Sequence, residues 1–93
     1  MSPDPKPTIS DIRAALERQL EPLTVEVIDD SLLHAGHAGA SAGGHYRVRI
    51  VCAAFAGRSR LERHRLVYQA LAAYMQRSIH ALSIDARAPG EPP

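Results

Sequence analysis

HYRVRIVCA, His45–Ala53, is the stretch on which the fold turns. Tyr46, Val48, Ile50 and Cys52 fall on one side of an extended chain and Arg47, Arg49 and Val51 on the other, the period of two that marks a strand buried on one face. Upstream, Leu23–Ile28 (LTVEVI) is rich in β-branched residues and is stopped by the charged pair Asp29 and Asp30. The two runs are predicted to pair as a hairpin around a long loop. That loop, Ser31–Gly44, holds four Gly, four Ala, two His and two Ser in fourteen positions, a mixture that packs little. Loops of this length in a compact domain are uncommon and tend to be functional or disordered.

Working outward, Phe55, Ala56 and Gly57 form an exit turn, and Ser59 is placed to cap a second helix. Its apolar line is read as Leu61, His64, Val67/Tyr68, Leu71 and Tyr74/Met75. A first helix precedes the hairpin, capped by Thr8 or Ser10, with Ile12, Ala15, Leu16 and Gln19/Leu20 at three-and-four spacing and Pro22 as its stop. Ile79–Ala86 reads as a closing strand. The predicted order is therefore α, β, β, α, β, with the last strand reached through a helical crossover. The proline-rich ends assign residues 1–7 and 88–93 to disordered tails and leave 8–87 as one domain.

Ninety-three residues support one hydrophobic core, and its aromatics are only Phe55, Tyr46, Tyr68 and Tyr74, with no Trp. A thin core of this kind gains from partners or self-association. The single Cys52 cannot form an internal disulfide, and no signal peptide precedes the first helix, so a reducing, cytoplasmic setting is expected. By strand alternation Cys52 points inward and reads as packing, not as a nucleophile. The longest nearly apolar run, Val48–Phe55, is far shorter than the ~20 residues that cross a bilayer, so no membrane association is expected.

Two residue types stand out as carriers of chemistry. Five histidines are an excess for this length. His34 and His37 lie in the glycine-rich loop, where imidazoles are accessible, and His80 opens the closing strand; one fixed and one adaptable ligand make a sensible metal site. The other reading is a solvated loop and a strand-edge histidine bonded to backbone. Neither H-x-x-x-H on a helix nor C-x-x-C occurs, so a closed zinc site is not expected and a partner must complete any coordination shell. His64, on the apolar line of its helix, reads as bonded to a backbone carbonyl. No nucleophile elbow or paired general acid and base is present, and no enzymatic activity is expected.

The second type is arginine. The net charge is only +1, yet Arg47, Arg49, Arg58, Arg60, Arg63 and Arg65 fall within nineteen positions that contain one acid, Glu62. Arg58, Arg60, Arg63 and Arg65 at a helix start either contact phosphates, as in nucleic acid, or form a solvated face that also docks an acidic partner.

The block FAGRSRLERHRLVYQAL at Phe55–Leu71, followed by IHAL at Ile79–Leu82 and preceded by VEVIDDSLLH and GGHYRVRIV, resembles the signature of the BolA family over nearly the whole chain. The resemblance implies an α+β fold similar to a class II KH domain, a three-stranded mixed sheet with helices packed on one face. It also implies a monothiol glutaredoxin as partner, with a [2Fe-2S] cluster shared between the two proteins and glutathione. The ligands it implies here are His80 and His34, with His37 as the alternate loop ligand; no cofactor is then expected in the isolated chain, a monomer or weak homodimer. Some family members are also described as transcription regulators, which would put double-stranded DNA on Arg58–Arg65. The G-x-x-G loop by which KH domains clamp nucleic acid is replaced here by Gly57, Arg58, Ser59 and Arg60.

Overall fold

The computed structural model describes residues 7–30, 44–75 and 79–92. Helix α1 (Ile9–Leu20) leads into the hairpin strands β1 (Thr24–Asp29) and β2 (Gly44–Val51). A 3-10 turn at Ala53–Phe55 is followed by α2 (Arg60–Ala70), the short α3 (Ala72–Met75) and β3 (Ile79–Arg87). The sheet order is β1-β2-β3, with β1 antiparallel and β3 parallel to the central β2. This is the α+β architecture with a mixed three-stranded sheet expected from the sequence.

Both helix starts obey local rules. Thr8, rather than Ser10, caps α1: its hydroxyl accepts from the Asp11 N–H while the Asp11 carboxylate accepts from the Thr8 N–H. Ser59 and Glu62 form the same reciprocal pair at α2. Helix α1 ends where Glu21 adopts the left-handed region at φ 48, immediately before Pro22.

The core lies between the helices and one face of the sheet. Register places Val25 and Val27 beside Ile50 and Val48, and Tyr46, Val48 and Ile50 beside Leu82, Ile84 and Ala86. These residues pack with Ile12, Ala15 and Leu16 of α1, Val67 of α2, and Phe55 and Leu71. Cys52 is buried, as alternation requires, and its thiol donates to the Leu20 carbonyl at 3.0 Å. The opposite face carries Glu26, Arg47, Arg49 and Ser83, all exposed. Arg47 pairs there with Asp30 at 3.1 Å, and Arg49 with Glu26 at 3.5 Å.

Two expectations change. The buried line of α2 does not start at Leu61, which is 60% exposed, nor does it include Tyr68, 40% exposed. It runs through Arg63, Val67 and Leu71, four residues apart. Leu61 precedes Val67 by six residues, which at 3.6 residues per turn puts it about 120° round the helix from the buried line. The position four before Val67 is Arg63, whose side chain is mostly covered and whose head group reaches polar partners. The second change concerns the ends. Pro7 is buried, and its carbonyl accepts from the Tyr46 hydroxyl at 2.7 Å. Residues 88–92, assigned from their prolines to a tail, are attached to the body: Ala88 is buried and Glu91 is bonded to Arg63. Proline content resists ladder pairing, but Pro-Gly also makes turns, and here the turn wins.

Candidate functional site

The hairpin and the parallel crossover together define one end of the sheet. β1 finishes at Asp29 and β2 begins at Gly44, so the intervening loop leaves and returns at this end. The Asp30 N–H donates to the His45 carbonyl at 2.7 Å, closing the loop's base. Because β3 is parallel to β2, its first residues start beside the same base, Gly44 opposite Ile79. His45 is then opposite Ala81, so β3 carries one extra residue, His80, between two consecutive residues of β2. A bulge of this kind bends the strand, leaves one residue out of the ladder and is over-represented beside functional sites. Asp30, His45, Tyr46, Ala81, Leu82 and Ser83 line a shallow depression at this end.

The backbone of His80 is thus placed next to the root of the loop that contains His34 and His37. The two loop histidines lie outside the described residues. Among the described residues no group of three or more His, Cys, Asp or Glu is gathered to hold a metal by itself. Cys52 follows the far end of β2, seven residues from His45 and about 23 Å along an extended strand. At the loop end the sequence offers the imidazoles of His34, His37, His45 and His80 and the carboxylates of Asp29 and Asp30, with no thiolate there among the described residues. Such a donor set fits an iron centre completed by another protein's ligands and does not fit an all-thiolate cluster.

The basic surface lies at the other candidate position, the start of α2. Arg60 and Arg65 are exposed and make no ion pair among the described residues. Arg58 is anchored, its Nε donating to the Ala54 carbonyl at 2.9 Å. Arg63 differs from the other three. Its side chain is 13% exposed, Nη1 and Nη2 grip Glu91 at 2.6 and 2.7 Å, and the same guanidinium donates to the carbonyls of Arg58 and Ala86. Glu62, the one acid in the run, is held below the usual carboxylate range by the Ser59 N–H and then by its hydroxyl. His64 is half-buried and lines a depression with Arg58, Arg60, Arg63, Arg87 and Glu91. Glu91 and Arg87 are site neighbours that the arginine spacing did not reveal; the Pro89-Gly90 turn signal was the available clue.

A three-stranded mixed sheet with helices on one face, a bulge beside the root of a histidine-bearing loop, and an arginine-rich helix start define a small α+β domain. The chain belongs to the BolA family: the family model described as BolA-like protein matches residues 16–91. It is 46% identical over 86 residues to SufE-like protein 1, chloroplastic/mitochondrial, of Arabidopsis thaliana, a match covering 86% of this chain and 23% of that protein. It is 41% identical to BolA-like protein 1 of Mus musculus, covering 91% of this chain and 61% of that one. The chain therefore spans less than two thirds of either relative. The structure of the BolA domain of SufE1 from Arabidopsis thaliana superposes with a TM-score of 0.79 at 43% identity, covering 90% of this chain and 94% of that one.

Proposed function

We propose that this BolA domain partners a monothiol glutaredoxin and co-ligates a [2Fe-2S] cluster through His80 and one loop histidine, His34 or, as the alternate, His37. The observation that carries the reading is the bulge at His80, which sets that residue beside the root of the histidine-bearing loop. The role is one of binding, in iron-sulfur trafficking or iron and redox signalling, and not of catalysis. In that complex the cluster supplies electron storage and a transferable iron-sulfur unit. This chain's residues would do the rest: His80 on β3 would offer one imidazole, and His34 or His37 the second. Glutathione and the partner's thiolates complete the shell. A reducing compartment such as the cytoplasm suits this chemistry; the organelle terms in the relatives' names describe those proteins.

The test is to mix the protein with a cluster-loaded monothiol glutaredoxin and follow visible absorption and CD. The wild type is expected to shift both spectra, His80→Ala to abolish the shift with its far-UV CD intact, and His34→Ala or His37→Ala to identify the loop ligand. A spectrum from His80→Ala identical to wild type would sink the assignment.

A second reading, a DNA-binding regulator, is favoured by the exposed Arg60 and Arg65 beside the anchored Arg58. Arg63 enters it differently from its neighbours, because its guanidinium already holds a carboxylate. Neutralising Arg60 and Arg65 together should weaken duplex binding and flatten its dependence on salt. No duplex binding by the wild type at low salt would remove this reading.

A further inference from the structure

Ala88-Pro89-Gly90-Glu91 is a built turn. The Glu91 N–H donates to the Ala88 carbonyl at 3.2 Å, Pro89 and Gly90 hold the central positions, and Gly90 has φ 86. Those are the marks of a type II turn, which wants Pro first and Gly second. The turn aims the Glu91 carboxylate back at the body. One oxygen accepts from Arg63 Nη1 at 2.6 Å and from the Ala88 N–H at 3.0 Å, and the other from Arg63 Nη2 at 2.7 Å. Arg87 adds a further tie, its Nη1 donating to the Pro92 carbonyl.

The carboxylate sits in a depression lined by four arginines, Arg58, Arg60, Arg63 and Arg87, with Asp85 as the only other acid there. Asp85 is already paired with Arg87 at 2.8 Å. Without Glu91 the depression would hold an excess of about three positive charges. The two-pronged grip is the geometry by which a guanidinium takes either a carboxylate or a phosphate.

We propose that the Arg58–Arg60–Arg63–Arg87 depression is a phosphate-binding site held shut by an internal ligand, the carboxylate of Glu91. The site takes a phosphate group, whether free or as a phosphodiester, when the 88–91 turn swings away. A phosphate brings up to two negative charges and three acceptor oxygens where Glu91 brings one charge and two oxygens, so it engages more of the four arginines. Arg63 is the positioning centre: its contacts to the carbonyls of Arg58 and Ala86 hold the fork in place whether Glu91 or a phosphate occupies it. This deepens the DNA-binding reading, but it also stands without it, because the site's ligand is the phosphate and not the base sequence.

The experiment titrates pyrophosphate, and separately a short DNA duplex, into the full chain at low salt, read by amide NMR shifts and calorimetry. Three variants are compared with wild type. Glu91→Gln removes the internal ligand. Gly90→Ala changes no charge but strains the turn, since an alanine there would be held at positive φ, in otherwise open space. Glu17→Gln removes an equal charge from the exposed side of α1, at a residue that does not line the depression. Glu91→Gln is expected to bind pyrophosphate about tenfold more tightly than wild type, as loss of one charge-assisted fork to a competitor implies. Gly90→Ala is expected to move in the same direction and Glu17→Gln to leave affinity unchanged. In wild type, binding should shift the Ala88 and Glu91 amides. Equal pyrophosphate affinity in wild type, Glu91→Gln and Gly90→Ala would overturn the latch, and absence of pyrophosphate binding by Glu91→Gln would overturn the site. For the duplex, a salt slope steeper by about 0.9 in Glu91→Gln than in wild type marks one added phosphate contact and extends the site to nucleic acid. Pyrophosphate binding with no duplex binding by any variant keeps the site and discards the DNA reading.

Discussion

Tyr46 is 2% exposed, and its hydroxyl donates to the Pro7 carbonyl across thirty-nine residues of sequence. Burial, with Asp29 and then Asp11 nearby, raises its pKa above the ordinary value of 10.0. A folded-state pKa above the unfolded one keeps this contribution intact below pH 10 and loses it as pH rises through the folded value. Tyr46→Phe should cost about 1 kcal/mol, the net value of one such bond together with the Pro7 carbonyl left without its donor. Urea unfolding at pH 7 measures it, and the difference from wild type should shrink in strong alkali. Cys52, equally buried, should stay unreactive to a thiol reagent until the protein unfolds.

At the scale of the element, α2 shows how a charged residue hides the phase of a helix. The buried side passes through Arg63, Val67 and Leu71, and the exposed Leu61 is outside it. Leu71→Ala should therefore cost about 2–5 kcal/mol, as large-to-small changes in cores do, while Leu61→Ala should fall within about 0.5 kcal/mol of wild type. Comparable losses in the two, by chemical denaturation, would refute this orientation. The start of the same helix rests on the Ser59–Glu62 pair, and Ser59→Ala should lower stability by about 1 kcal/mol. Strand β3 is the other element with a local departure, one extra residue at His80, and that departure lies where the metal-binding proposal needs it.

At the scale of the whole molecule, the 88–92 segment ties together parts far apart in sequence: Glu91 reaches Arg63 on α2, and Arg63 reaches the Ala86 carbonyl on β3. Arg63, followed by the Ala88 N–H, holds the Glu91 carboxyl down to about 2 from the ordinary 4.5. A depressed carboxylate pKa means that its contribution is complete above about pH 4.5 and is lost as pH falls toward 2. Following the Glu91 side chain by NMR through an acid titration should give a midpoint near that value, moving up toward 4.5 in Arg63→Met. Loss of the contact should also loosen residues 88–92 ahead of the core, seen as earlier amide exchange at Ala88 and Glu91.

The alternation of His45–Ala53, the β-branched run before Asp29 and the caps at Thr8 and Ser59 were legible in the sequence, because each rests on neighbours within a few residues. From them followed the order of elements and the hairpin; the family signature added the mixed sheet with its helices on one face. The histidine and arginine clusters were legible as types, not as arrangements. Only the tertiary structure decided that Arg63 takes a core-side position, that Pro7 and Ala88 belong to the body, and that His80 falls at a bulge beside the loop's root. Each of these depends on partners more than twenty residues away or on strand register, and Arg63 is drawn in by a carboxylate and by backbone carbonyls, which an apolar pattern does not reveal. Composition assigned its prolines to frayed ends, yet Pro89-Gly90 closed a turn because Arg63 was there to receive Glu91.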